Sequence, residues 1–357
     1  MKEINNTDLG YNEQFESNRK SLELDGFAVA RVIAEYKGAY KIKNENGEYF
    51  AKLVGKKVFD AKSREDYPAV GDWVVIKEQD SEWAIIKEIL PRQSLIKRKH
   101  NHKNGMQIIA TNIDIAFVVE SIGRDFNLNR FERYFAIASE GGVETVIILN
   151  KIDLISQEEL EKKLVEIKDR FKNIDIVLTS ALEETGLDIL RSSMNSGKTY
   201  CFLGSSGVGK SSLINKLLET NATETGDINL ETGRGKHTTT VRQMYFLKNG
   251  AIVIDNPGMR EVGMTNEVAG LDDIFNEILE FASTCKFVDC AHVSEPKCGV
   301  LEALESGALN REKYQNYLNL KKEIDHYGMT EMEKNEKDYK FGKFIKNAKK
   351  DIKNYKN

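Results

Sequence analysis

Residues 204–211 read Gly204-Ser205-Ser206-Gly207-Val208-Gly209-Lys210-Ser211, directly after Thr199-Tyr200-Cys201-Phe202-Leu203, an apolar strand candidate. Leu213, Ile214 and Leu217 then recur at helical spacing. Strand, glycine-rich loop and helix in that order make a phosphate-binding loop, and the pattern G-x-x-x-x-G-K-[ST] carries that meaning only in such a setting. The glycines let the backbone wrap closely and aim its N–H groups at phosphate oxygens. The helix N-terminus adds its dipole, Lys210 a point charge for the β and γ phosphates, and Ser211 a ligand for Mg²⁺. Nucleotide contacts are therefore expected from Gly204, Ser205, Ser206, Gly207, Val208, Gly209, Lys210, Ser211 and Ser212.

Upstream, residues 143–149 (Val-Glu-Thr-Val-Ile-Ile-Leu) read as a buried parallel strand with Asn150-Lys151-Ile152-Asp153 at its C-terminal end, where ligands collect in open α/β sheets. Asp153 can accept hydrogen bonds from the guanine N1–H and 2-amino group. Adenine lacks that donor pair and would leave a desolvated carboxylate unpaired, at a cost of about 1–3 kcal/mol or more. Thr179-Ser180-Ala181 follows a second strand, and a backbone N–H of Ser180 or Ala181 there could meet the guanine O6. Downstream, residues 251–255 form a strand ending in Asp255-Asn256-Pro257-Gly258. Asp255 suits a water-mediated Mg²⁺ contact and the Gly258 N–H suits the γ-phosphate. Between these lies Gly233-Arg234-Gly235-Lys236-His237-Thr238-Thr239-Thr240, from which Thr238 or Thr239 is expected to complete the Mg²⁺ shell. Both segments should order with the γ-phosphate and relax after hydrolysis.

The order is the unusual part. A guanine-reading Asn-Lys-x-Asp normally follows the phosphate loop, and here it precedes it, so the domain is a circularly permuted GTPase. Its second switch leads directly into whatever follows Gly258. That is Cys285-x₄-Cys290-x-His292-x₅-Cys298, after a helix candidate over residues 271–282. Three thiolates and one imidazole at this spacing match a closed tetrahedral structural Zn²⁺ site. Cys201, the remaining cysteine, reads as a small buried hydrophobe.

The chain has 357 residues, 40% of them hydrophobic, with a net charge of −4 and no long apolar run. Several domains, no membrane span and no signal peptide follow, so a cytoplasmic protein is expected. Residues 92–103 nonetheless hold Arg92, Lys97, Arg98, Lys99 and Lys103 with two histidines and no acid, and residues 331–357 hold nine lysines against five acids. Such clusters grip phosphate backbones or are solvated faces. Before residue 92, five short alternating strand candidates with glycine-bearing turns suggest a small closed barrel, of the oligonucleotide-binding or the SH3-like kind.

These features resemble one family closely, the circularly permuted ribosome small subunit-dependent GTPase A family of ribosome-assembly factors. The resemblance covers roughly residues 24–325. It rests on Asn150-Lys151-Ile152-Asp153, the phosphate loop, Gly235-Lys236-His237-Thr238-Thr239-Thr240, Asp255-Asn256-Pro257-Gly258-Met259-Arg260-Glu261 and the Cys/His set. Asn256 stands where Thr or Ser is more usual. The resemblance implies a five-stranded oligonucleotide-binding barrel over 22–103; the polar residues 1–21 before it read as a flexible extension. It implies a permuted α/β GTPase domain over 104–268 and a helical zinc module over 269–330, and it assigns nothing to the Lys-rich tail over 331–357. It further implies a monomer that binds GTP and GDP, docks on the small ribosomal subunit and its rRNA, and is stimulated by that subunit. Met259 occupies the place of the water-orienting Gln of many GTPases. A thioether cannot polarise water, so slow intrinsic turnover is expected, with Lys210, Asp255 and Gly258 in the catalytic machinery and His237 positioning the water. The rival readings are a GTP-gated zinc metallochaperone and a plain RNA-binding module.

Overall fold

The computed structural model describes residues 4–36, 38–55, 61–99, 106–123, 126–219, 242–255 and 269–329, with scattered positions beyond 331. Strands β1 (Ala28–Tyr36), β2 (Ala39–Asn44), β3 (Gly47–Leu53), β4 (Trp73–Glu78) and β5 (Trp83–Ile89) come first. They close in the order β1-β2-β3-β5-β4-β1, with β3 parallel to β5 and every other pair antiparallel. That lone parallel pairing marks the Greek-key closure of an oligonucleotide-binding barrel and sets aside the SH3-like alternative. Alternate residues such as Val32, Ile42, Ala51, Val74 and Ile86 fill the interior, as the period of two requires.

The expectation of a loosely held segment before residue 22 is corrected. Helix α1 (Glu13–Ser21) starts at Asn12, whose side chain accepts from the Gln14 and Phe15 N–H groups at 3.1 and 3.2 Å. Leu9 and Phe15 are buried with Trp73 and Val75 on the outer surface of the barrel. Two apolar anchors, each contributing about 1.5–3 kcal/mol, hold a stretch whose composition is otherwise polar. The buried Arg31 guanidinium donates to the carbonyls of Leu9 (2.5 Å) and Asn112 (2.9 Å), joining this segment, the barrel and the approach to the next sheet.

β6 (Leu95–Lys99) and β7 (Met106–Thr111) pair as a two-stranded sheet that sequence reading did not resolve. The basic run at its root is partly spent on structure. Arg92 forks onto the buried Asp72 carboxylate at 2.8 Å twice and onto the Glu65 and Tyr67 carbonyls, so it is not free to grip phosphate. Arg98 reaches Gln107.

There follow β8 (Ile115–Ser121), β9 (Glu144–Asn150), β10 (Ile176–Thr179), β11 (Thr199–Leu203), β12 (Gln243–Phe246) and β13 (Ile252–Asp255). Their order is β10-β9-β8-β11-β13-β12; the first five are mutually parallel and β12 is antiparallel. Helices α2 (Leu128–Glu140), α3 (Gln157–Arg170), α4 (Leu187–Ser192) and α5 (Lys210–Leu218) complete an α/β layer structure. β12 also pairs with β1 through Gln243 and Ala34, so barrel and GTPase strands share one eleven-stranded sheet.

Residues from Met264 onward form a separate compact unit. It contains α6 (Ala269–Ile274), α7 (Asn276–Ala282), α8 (Gly299–Glu305) and α9 (Arg311–Gly328). The single helix expected over 271–282 is broken at Phe275, whose backbone leaves helical geometry while its fully buried ring packs on Tyr317.

Candidate functional site

The parallel strands all point their C-terminal ends at one edge, and the motif residues collect there. β11 is buried along its whole length, and the loop after it needs Gly204, Gly207 and Gly209 at positive φ. At Gly209 (φ 100°) an added Cβ would lie 2.3 Å from the Asn150 Nδ2. The clash shows how closely the phosphate loop and the Asn-Lys-Ile-Asp segment approach. Asn150, fully buried, donates from Nδ2 to the Val208 carbonyl at 2.8 Å and accepts at Oδ1 from the Thr179 hydroxyl at 3.0 Å. Lys151, in the left-handed conformation (φ 61°), donates to the Gly207 carbonyl at 2.7 Å. Segments separated by more than fifty residues in reversed order therefore form one pocket.

Asp153 accepts a short hydrogen bond from the Ser180 hydroxyl, which fixes the carboxylate at the mouth of an open cleft of about 910 Å³. Lys151, Asp153, Ala181 and Gly209 line it, and the exposed side chains of Leu154 and Leu182 offer apolar edges to a purine ring. On the phosphate side, Lys210 folds back to donate to the Gly204 and Ser205 carbonyls at 2.6 and 2.7 Å. Ser211 occupies the first turn of α5, and Asp255 ends β13 near enough for its charge to act on Lys210. Ser205, Ser206 and Ser212 lie in the loop and first turn. Gly258, His237, Thr238 and Thr239 lie outside the described residues, as does Met259.

Burial pulls the Lys210 ammonium down to about 8, against the opposing pull of Asp255 and Glu120. The unfolded chain keeps this proton up to about 10.5, so stability of the nucleotide-free protein should rise with pH from about 8 to about 10.5. GTP affinity should do the reverse, because a neutral amine offers phosphate no charge. Nucleotide titrations between pH 7 and pH 9 should show affinity level at first, then weakening toward about tenfold per pH unit above 8. A flat profile would mean that Lys210 keeps its charge past pH 9 or does not meet phosphate.

Sequence reading named Thr179 without its bracing role and missed Glu120. Thr179 braces Asn150, and Glu120 lies buried at the end of β8 beside the lysine, with Arg130 at 3.7 Å. An acid closing the apolar run of β8 was the only available signal.

In the C-terminal unit, Cys285, Cys290, His292 and Cys298 bring their ligand atoms within 4.8 Å of one another and could hold a metal ion. The Cys285 and Cys298 sulfurs are 3.7 Å apart, and each lies 3.5 Å from His292 Nδ1. Burial raises the Cys285 thiol, but the Gly299 and Val300 N–H groups at the start of α8, together with Cys298 and Cys290, bring it below the usual thiol range. The Glu295 carboxylate, unnoticed in the sequence, accepts from the N–H groups of Ala291, Val293 and Ser294 and shapes the His292 turn. Tyr314 of α9 donates to the His292 carbonyl at 2.6 Å. Cys201 is fully buried in β11, with its thiol pushed up by burial, and plays no part here.

A phosphate loop and a guanine-reader segment converging in permuted chain order, behind an oligonucleotide-binding barrel, define a circularly permuted GTPase. The sequence profile of the RsgA GTPase family matches residues 89–265. A relative from Bacteroides thetaiotaomicron, named small ribosomal subunit biogenesis GTPase RsgA 1, is 36% identical over 98% of both chains. The crystal structure of YjeQ from Thermotoga maritima superposes with a TM-score of 0.62 at 26% identity, covering 85% of this chain and 99% of that one. That of YloQ, described as a circularly permuted GTPase, gives 0.60 at 22% identity, covering 85% and 97%. The chain belongs to the RsgA GTPase family.

Proposed function

We propose that this protein hydrolyses GTP to GDP and phosphate as a timer in late maturation of the small ribosomal subunit, acting as a monomer on that subunit and its rRNA. The observation that carries the reading is the pair of bonds from Asn150 and Lys151 to the carbonyls of Val208 and Gly207, which puts guanine reader and phosphate cradle on one pocket. Asp153 takes the guanine N1–H and 2-amino group, and the Ser180–Ala181 backbone meets O6. The N–H groups of 205–211 hold the phosphates, and Lys210 exchanges its two carbonyl partners for the β and γ oxygens. Ser211, Asp255 and one of Thr238 or Thr239 would hold Mg²⁺, which neutralises charge on those oxygens. Ser211 on the first turn of α5 and Asp255 acting on Lys210 fit that role. The Gly258 N–H meets the γ-phosphate. His237 positions the attacking water when the subunit is bound, a task the Met259 thioether cannot perform.

Zinc suits the Cys/His set. With Zn–S about 2.3 Å and Zn–N about 2.0–2.1 Å, tetrahedral edges are about 3.8 and 3.6 Å, close to the sulfur–sulfur and sulfur–nitrogen spacings present. Four donors leave no open position, and relatives bear the name of subunit-biogenesis GTPases, so a metallochaperone is not favoured. No helix among the described residues is long and apolar enough to cross a membrane. A cytoplasmic protein fits the proposed partner.

Turnover measured with and without purified small subunits tests the reading. Slow hydrolysis alone and stimulation of at least about tenfold are expected. His237→Ala should bind GTP normally and lose the stimulation. Equal rates with and without subunits would overturn the proposed partner, and full stimulation of His237→Ala would overturn the role of the histidine.

A further inference from the structure

Strand β8 is apolar and buried from Ala116 to Val119 and then carries a carboxylate, Glu120, that solvent does not reach. A strand end that only had to pack would hold another apolar residue, because a buried carboxylate is costly to desolvate.

Register sets that charge under the phosphate loop. β8 lies between β9 and β11, and Val118 pairs with Leu203, so Glu120 stands level with Ser205, two residues further along both parallel strands. The two chains still touch there, since a Cβ on Gly204 would lie 2.3 Å from the Val119 carbonyl oxygen. From α2, the Tyr134 hydroxyl comes to 3.5 Å from the Ser205 hydroxyl. Lys210 donates to the Gly204 and Ser205 carbonyls, and its ammonium feels Glu120 on one side and Asp255 on the other.

Arg130 of α2 offsets part of the Glu120 charge. Its guanidinium is 3.7 Å from the carboxylate, longer than a hydrogen bond, and its side chain is 38% exposed and therefore screened by water and salt. Lys151, Lys210 and the loop N–H groups attract phosphate; Glu120 is a fixed negative charge behind the same loop and opposes them. Water and salt screen a buried charge little, so this opposition reaches across the loop. Asp255 lies on the far side of β11, where the proposed Mg²⁺ answers its charge.

We propose that Glu120 sets the nucleotide affinity of this site, as a buried anion that repels the phosphates through the loop and so speeds the release of GDP. The inference rests on the reading that residues 204–211 hold the phosphates, and it adds the group that limits how tightly they do so. Such repulsion grows with the number of phosphate charges, so it acts on GTP more than on GDP and least on GMP. Within one site, most of a change in affinity appears in the dissociation rate.

The test is titration of the full chain with GMP, GDP and GTP, together with GDP release followed by displacement of a fluorescent analogue. Working at pH 6.5, below the Lys210 value of about 8, keeps the lysine charged. Glu120→Gln, the same shape without the charge, should tighten GTP by roughly three- to thirtyfold, GDP by less and GMP least, and slow GDP release in step with GDP affinity. Glu120→Asp keeps the charge and should stay within about threefold of native for all three, whereas a packing role would suffer from the shorter side chain. Glu120→Thr, neutral and suited to a strand, should repeat the glutamine result and decides the matter if the glutamine variant does not fold. GTP affinity that is unchanged or weaker in the neutral variants, or tighter by one common factor for all three nucleotides, overturns the assignment. The reading beneath it fails separately: native protein that binds GTP no better than GMP would show that the loop does not hold the phosphates, and would take the role of Glu120 with it.

Discussion

Asp153→Asn should lower GTP affinity by about 10²- to 10⁴-fold and bring xanthosine triphosphate into the range the native protein shows for GTP. The native carboxylate is acceptor-only, held toward the cleft by the Ser180 hydroxyl, and matches two guanine donors. Each such charge-assisted bond contributes about 1.5–3 kcal/mol, and an amide replaces one acceptor by a donor pointed at another donor. Xanthine carries a carbonyl where guanine carries the 2-amino group, so the amide regains its partner. The Ser180 hydroxyl can still bond the amide oxygen, which keeps the side chain in place and makes the exchange one of recognition rather than folding. Titration of both proteins with GTP, xanthosine triphosphate and ATP checks this. A variant whose GTP affinity stays within threefold of native would detach Asp153 from the base.

The phosphate loop and the guanine reader were legible because phosphate and guanine each demand particular residue types within a few positions, whatever the rest of the chain does. Chain order alone then exposed the permutation. What stayed hidden depends on distant pairings. Asn150 read as a nucleotide contact, but its bonds to Val208 and Thr179, which tie the loop after β11 to the end of β10, could not be read there. Alternation showed which barrel residues face inward but not which strands are neighbours; the parallel β3–β5 seam is a tertiary fact. The opening segment was misjudged by composition, since Leu9 and Phe15 are enough to anchor it. The basic run at 92–103 looked uniform, but a buried aspartate twenty residues upstream claims its first arginine.

Sheet continuity adds a mechanical link that neither motif list nor composition contained. The strand β12 begins just after the segment over 233–240 and pairs with the barrel through Gln243 and Ala34, while its other edge carries β13, which ends in Asp255. Arg242 adds an ion pair to Glu35 of β1 at 3.9 Å and donates to the Ile108 carbonyl of β7 at 2.9 Å.

Removing the metal should unfold the module built around Cys285, Cys290, His292 and Cys298 while leaving nucleotide binding in place. The turns that carry these residues have little else to hold them: Val288 and Val293 are exposed, and His292 and Lys297 sit at positive φ. Their order depends on four donors meeting at one point, on the Glu295 carboxylate and on the Tyr314 bond to the His292 carbonyl. A structural zinc in such a setting supplies apparent binding free energy of about 10–16 kcal/mol, which is folding free energy for the module. Affinity should rise with pH, since the thiols bind only after losing their protons. Hydrogen exchange with and without a strong chelator is the measurement. Amides of α8 and α9 are expected to lose protection, and Cys298→Ser to reproduce the loss in untreated protein, while the phosphate-loop amides and GTP affinity hold. The two compact units predict that separation, because the nucleotide pocket is built entirely from residues before Met264. Protection of α8 and α9 that survives both chelation and Cys298→Ser would mean that the helices fold on apolar packing around Phe275 and Tyr317 alone, and that the four ligands bind metal without supporting the fold.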